Sequence, residues 1–249
     1  MSIFKLSPRD IAFTAVFAAL SVIVCKVIPG IPIIGGSGSI KFDAALAPIY
    51  GLVTGPFLGA FAALVGGLVA AGGYLSILTS FCTAISAFVA GILTHSNYVV
   101  GGVKIKGWSV GSLVILLLVL GWYFTWVGQQ APLYPILQLV GLLITLFFRG
   151  RLSNYFERGI GWKLGVAVCL ASYCGIIADH MLGNLIYIAN FPTLNWPPIF
   201  MMVLPISTIE RTLLTIIATF IGFSLILSLR RAGLFTREFQ AKSTPSTSR

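Results

Sequence analysis

Between residues 10 and 230 the chain is a succession of apolar runs, at about 10–28, 43–54, 57–72, 75–95, 108–127, 132–149, 162–190 and 203–230. The charged residues are left mostly to the segments between them, to the ends of the runs, and to a few positions inside the last two. A run of about 20 apolar residues is long enough to cross the hydrocarbon core of a bilayer as a helix, and a helix satisfies its own backbone polar groups there. With 57% hydrophobic and 9% charged residues, no ordinary soluble domain is compatible with this pattern. The runs predict an all-α polytopic membrane protein of about eight transmembrane helices. They form a single bundle over residues 1–231, with no room for a separate catalytic or nucleotide-binding domain. The remainder, 232–249, ends in "AKSTPSTSR", has no apolar run, and reads as a disordered cytoplasmic tail. The run after Pro8 continues at full length without a cleavage pattern, so it reads as the first span rather than a signal peptide.

Gly55 and Pro56 divide the second run from the third, a helix stop followed by a helix start. A single helix from Asp43 to Ala71 would be about 43 Å long at the standard rise, too long for a span of modest tilt. Two short helices are expected.

The net charge of +10 comes from sixteen Lys and Arg residues, most of them at the ends of the runs. That is how a membrane chain fixes its orientation, so the bilayer rather than nucleic acid is the expected partner. A cytoplasmic N-terminus puts Lys104, Lys106, Arg149, Arg151, Arg158, Lys163, Arg230, Arg231, Arg237 and Lys242 inside, and leaves Lys26 and Lys41 outside. Seven helices with the N-terminus outside satisfy the charge rule almost as well, and length together with the Gly-Pro break favours eight. Both termini are then cytoplasmic in a multi-pass protein of the cell membrane. Cys25, Cys82, Cys169 and Cys174 fall in or beside apolar runs without metal or disulfide spacing, and read as packing residues.

Small residues recur at Gly51, Gly55, Gly59, Ala63, Gly67 and Ala71, and Ala12, Ala15, Ala18 and Ala19 crowd the first helix. Such ladders allow close backbone approach, either within the bundle or to a partner.

The segment "ADHMLGNLIYIAN", residues 178–190, sets polar groups into a membrane run. At 100° per residue Asp179, His180, Gly183, Asn184 and Tyr187 share a sector of about 140°. In the last run, Glu210 and Arg211 stand beside a stripe of Ser207, Arg211, Thr215 and Thr219. Intramembrane ionisable groups usually face a cavity or the bundle interior and mark solute pathways. Asp179, His180, Asn184, Tyr187, Glu210 and Arg211 are therefore the candidate substrate-binding residues. The competing reading is a buried ion network of Asp179, Glu210 and Arg211 that only holds two helices together. Six acidic residues and two histidines, without HExxH or GxSxG, leave no basis for a catalytic centre, a metal site or a bound cofactor. His95 reads as an interfacial residue. Trp122, Trp126, Gln129, Gln130 and Tyr134, at the turn of the 107–149 hairpin, read either as an interfacial aromatic belt or as further ligand contacts.

The order "LSPRDIAFTAVFAALSVI", then "GGSGSIKFDAALAPIYGLVTGPFLGAFAALVGG", then "LPISTIERTLLTIIATFIG" resembles the substrate-binding S components of energy-coupling factor (ECF) transporters, prokaryotic vitamin-uptake systems. The likeness covers about residues 7–95 and 162–231. It implies a six-helix core with 107–149 as an inserted helical hairpin. It also implies a solute captured from outside, and association with a transmembrane coupling subunit and two cytoplasmic ATPases. By the same resemblance Ala15 and Ala19 look like the docking face for the coupling subunit, and Pro29 to Lys41 like a substrate gate. The mixed polar face suits a small polar heterocycle of vitamin type better than a bare ion. An integral-membrane enzyme, or a small scaffold protein without a transport role, is the alternative.

Overall fold

The computed structural model describes residues 7–28, 30–32, 39–40, 42–100 and 103–235. In chain order these form α1 (Pro8–Val27), β1 (Ile31–Pro32), β2 (Ser39–Ile40), α2 (Asp43–Thr54), α3 (Pro56–Ala70) and α4 (Tyr74–Leu93). They continue with β3 (Asn97–Val100), β4 (Val103–Lys106), α5 (Gly107–Phe124), α6 (Trp126–Gln130), α7 (Ile136–Phe148), α8 (Gly150–Arg158), α9 (Trp162–Asn190) and α10 (Trp196–Arg231). The strands make two small antiparallel hairpins, β1 with β2 and β3 with β4. Everything else in the described architecture is helical, an all-α polytopic membrane protein. The loop read as a gate, apart from residues 30–32 and 39–40, lies outside the described residues, as do Lys41 and the tail from residue 236.

Each apolar run becomes a helix, but the helices are not equally long. Five have the length and apolarity of a full crossing: α1, α4, α5, α9 and α10. The pair α7 and α8, bent by 74° at Arg149, makes a sixth candidate. With 12 and 15 residues, α2 and α3 reach only about 18 and 22 Å, short of a hydrocarbon core of about 30 Å.

The break between them falls at Gly55, whose φ of 88° ends α2, and Pro56 opens α3. A β-carbon on Gly59 would lie 2.5 Å from the Cα of Gly51. In one continuous helix those residues would be about 12 Å apart, so the chain doubles back here. The small-residue ladder serves this internal packing. A β-carbon on Gly51 would collide with the Ala87 carbonyl, one on Gly91 with Pro56, and one on Gly67 with Ser80.

The start of α1 is set by Ser7 and Asp10, which cap each other's backbone amides at 3.2 and 3.1 Å ahead of Pro8. Arg9 reaches the Leu234 carbonyl at 3.4 Å, so the first and last described helices begin and end on the same side. The Gly55 elbow lies against the His95 ring, and Gly107 against the carbonyls of Ile92 and His95, at that side too. His95 itself is buried there, its Nδ1 bonded to the Gly91 carbonyl at 2.9 Å, so its side chain faces the bundle. Arg230 ties α10 to the end of α8 through the carbonyls of Gly159, at 3.0 Å, and Phe156. This basic end of the bundle gathers Lys106, Arg149, Arg151, Arg158, Lys163, Arg230 and Arg231.

The β3–β4 hairpin went unread in the sequence, and so did two further features. The residues after Arg149 form α8, which buries Leu152, Ser153 and Phe156 and turns Arg151, Asn154 and Arg158 outward. The second is the starting depth of α2: Ala44 and Ala45 pack with Ile176 of α9 and with Leu214 and Ala218 of α10. Ile176 lies about 21 Å from the far end of α9, so α2 begins in the interior of the bundle.

Candidate functional site

The polar face of α9 meets three other parts of the chain. Tyr134, between α6 and α7, is buried to 2% exposure and stacks on Trp122 at 4.8 Å, with Phe200 of α10 edge-on at 4.7 Å. Trp122 is fully buried, with its indole N–H on the Ala131 carbonyl at 3.3 Å. These two residues are core, not an interfacial belt; only Trp126, Gln129 and Gln130 of that group are exposed.

The Tyr134 hydroxyl lies 3.1 Å from His180 Nε2 and accepts from Asn184 Nδ2 at 3.1 Å. On the other side of the imidazole, Gln138 of α7 places its Nε2 at 3.5 Å from Nδ1 and donates to the Ile177 carbonyl at 3.2 Å. With the Gln138 amide donating to the Ile177 carbonyl, Nδ1 accepts from Gln138 and the imidazole carries its proton on Nε2, toward Tyr134, while Gln138 Oε1 stays without a partner among the described residues. The imidazole is then neutral and held at both nitrogens by the 107–149 hairpin. Removing the hydroxyl with Tyr134→Phe would leave the His180 N–H and the Asn184 amide without this acceptor in a buried setting. The variant is expected to lose about 1–3 kcal/mol of stability, read as an earlier thermal melt in detergent. A melt identical to that of the parent protein would show that the network does not hold the hairpin to α9.

Asp179, one residue along, is 7% exposed and makes no hydrogen bond or ion pair to any described residue. Its carboxylate feels Arg211 as well as Asp43 and Glu210. Asp43 opens α2, is 2% exposed, and accepts from the Tyr50 hydroxyl at 3.3 Å. The half-length α2 therefore brings a second buried carboxylate to the level of the α9 face.

Glu210 and Arg211 of α10 complete the set, with Arg211 Nη2 at 2.7 Å from Glu210 Oε1. The two groups are an ion pair by distance but are poorly aligned for a hydrogen bond. Glu210 Oε1 and Arg211 Nε both remain without one. Consecutive residues diverge by about 100° around a helix, which is why the pair cannot close squarely. Arg211 also acts electrostatically on His180 and Tyr134. Tyr187, half-buried one turn beyond Asn184, stacks on Phe191 at 6.0 Å.

Two members of the α10 stripe are engaged elsewhere. The hydroxyls of Thr215 and Thr219 donate to the carbonyls one turn back, at 2.7 and 2.6 Å. Ser207 lies beside the Tyr134 hydroxyl instead. Four elements thus converge on one polar region: the hairpin through Tyr134 and Gln138, α9 through Asp179, His180 and Asn184, α10 through Glu210 and Arg211, and α2 through Asp43. Hydrophobic spacing along α9 revealed the first face; Gln138 and Asp43, on runs of their own, carried no sequence signal for it. Among the described residues no three His, Cys, Asp or Glu side chains come together as metal ligands. None of the four cysteines is in a disulfide.

A buried carboxylate without a direct partner and a guanidinium with an unmatched N–H are costly unless something else satisfies them. The region offers carboxylate, guanidinium, amide and phenol groups within one bundle interior, which suits a small solute with both donors and acceptors.

Residues 5–138 match the family described as ECF-type riboflavin transporter, S component. The match takes in α1 to the start of α7, and so runs into the hairpin read as an insertion. Uncharacterized protein MJ0923 of Methanocaldococcus jannaschii is similar at 26% identity over 194 residues, 75% of this chain and 61% of that relative. The chain thus spans less than two thirds of the length of the curated relative it matches. No solved structure matches. With more than half of its length matched, and with apolar helices around a buried polar region, the chain belongs to the family of ECF-type transporter S components.

Proposed function

We propose that the chain captures a small polar solute of vitamin type from the outer side of the cell membrane and delivers it to an ATP-driven importer. Its partners in that complex are a transmembrane coupling subunit and two cytoplasmic ATPases. The basic end is cytoplasmic under the positive-inside rule, and with it both chain termini. Asp179, His180, Asn184, Tyr187, Glu210 and Arg211 form the binding face, with His180 fixed in orientation by Tyr134 and Gln138. The observation that carries this reading is Asp179, a buried carboxylate that no described residue satisfies, set near an incompletely matched Arg211. A solute with donors for the carboxylate and acceptors for the guanidinium would satisfy both. Riboflavin, named in the family's description, is the first compound to test. Its flat heterocycle carries donors and acceptors along one edge. Coupling-subunit docking falls to the exposed Ala15 and Ala19 of α1.

Mass spectrometry of small molecules that copurify with the detergent-solubilised protein tests the reading. One heterocyclic solute in near-stoichiometric amount, released on denaturation, is the expected result. A preparation free of small molecules, and indifferent in its melting to riboflavin and other vitamins, would overturn it.

A further inference from the structure

The basic end of the bundle holds a cavity of about 340 Å³ that solute capture does not use. Its wall includes Ser96, Asn97, Lys106, Trp108, Arg149 and Asn154, drawn from the turn after α4, both strands of the β3–β4 hairpin, the first turn of α5, and the α7–α8 elbow. It is an open cleft, and the Asn97, Lys106, Arg149 and Asn154 side chains that line it are exposed. Two cationic side chains line it, and no carboxylate does.

The elbow is built in an unusual way. Arg149 has φ 43° and, among the described residues, is the one non-glycine with a positive φ. A side chain costs energy in that conformation, which persists only where the surroundings impose it. Here it turns the chain through 74° and brings Gly150, the first residue of α8, to the cavity wall. No side chain caps α8, so its first amides have no partner from a capping residue. The exposed Arg149 guanidinium lies 5.6 Å from the centre of the Trp108 ring, with Nε donating to the Leu146 carbonyl at 3.0 Å. Its terminal nitrogens make no hydrogen bond to a described residue. Asn97 and Asn154 add neutral amides. Glu157 stands behind the wall, accepting from the Ser96 hydroxyl at 3.0 Å, and is the acidic group that opposes an anion here.

We propose that this cavity binds a phosphate-type oxyanion, held between Lys106 and Arg149. The helices α4 and α7 end and α5 begins beside it, which sets it at the level where lipid headgroups lie, and basic pockets between membrane helices suit anionic headgroups. The same chemistry would accept a soluble phosphate. The site is independent of the solute-binding face, and holds whichever side of the membrane this end occupies.

Native mass spectrometry of the full, delipidated chain distinguishes the two sources. One arm titrates phosphatidylglycerol against phosphatidylcholine of the same acyl chains, and the other titrates inorganic phosphate and glycerol 1-phosphate. Phosphatidylglycerol is expected to bind at one site at least tenfold more tightly than phosphatidylcholine. Lys106→Gln should lose that preference and Arg158→Gln, an exposed charge on α8 outside the cavity, should keep it. Arg149→Gly, which also suits the positive φ, should behave as Lys106→Gln does. Lys106 is exposed, so its variant reports on binding even if the elbow variant fails to fold. Soluble phosphate binding with the same dependence on Lys106, without lipid preference, would assign the site to a solute. Absence of both, or equal weakening by Arg158→Gln, would overturn the proposal in favour of a diffuse basic surface.

Discussion

Arg211→Met should destabilise the protein without ligand by about 3–5 kcal/mol and abolish ligand binding at the same time. Methionine keeps an unbranched apolar stem of similar reach and removes the charge. What remains is Glu210, whose side chain is 17% exposed and stands 2.7 Å from the lost guanidinium, and Asp179, which has no direct partner to compensate for the change. The loss measures mostly the cost of uncompensated buried carboxylates, not the strength of the pair itself. Glu210→Gln added to Arg211→Met should therefore recover part of the stability while leaving binding absent. Thermal melting in detergent checks both steps. A single variant that melts with the parent protein would mean that the acidic groups are already satisfied without Arg211.

The second large effect is on transport. Ala15 and Ala19 are exposed on α1, within a face that also exposes Ile11, Val16, Leu20 and Ile23. Small side chains among larger ones allow another helix to approach closely, which favours association in lipid. Leucine at both positions is expected to abolish uptake and copurification with the coupling subunit. Ligand affinity of the isolated protein should change less than about twofold, because neither side chain is buried in the bundle and substitutions on such a surface are nearly neutral for folding. Equal loss of ligand affinity would show that the alanines pack internally. Normal uptake would place docking on another face.

What the sequence revealed was what repeats along it. Apolar length marked the runs that become helices but not which of them are long enough to cross, five or six among the described residues, and the Gly55-Pro56 break marked the α2–α3 turn, because a positive φ and a missing donor leave local traces. The polar face of α9 was visible because Asp179, His180, Asn184 and Tyr187 recur at helical spacing. The rest depends on distance in the chain. Tyr134 is 46 residues from His180, and Gln138 is 42 away, so their hydrogen bonds follow from how the hairpin packs, which no local pattern encodes. Asp43 joins the site because α2 starts deep in the bundle, and apolar runs do not report the depth at which a short helix begins. Helix α8 was hidden for another reason: nine residues with Arg151, Asn154, Glu157 and Arg158 are too short and too polar to stand out from a charged loop. The β3–β4 hairpin did have a signal, since "NYVVGGVKIK" sets two β-prone runs around a Gly-Gly turn.

Asn184→Ala offers the most direct test of the solute site. Asn184 is half-buried and donates to Tyr134, which keeps His180 as a partner when the amide is removed. Melting curves of the parent protein and of this variant are to be measured with and without the copurifying solute, or riboflavin in its place. The expected result is an unliganded melting temperature close to that of the parent. The ligand-induced rise should be cut back by a loss of about 1–3 kcal/mol in binding, the cost of leaving a solute group unpaired. A variant that melts early yet keeps the full ligand-induced rise would contradict this, making the α9 face structural and placing the solute elsewhere.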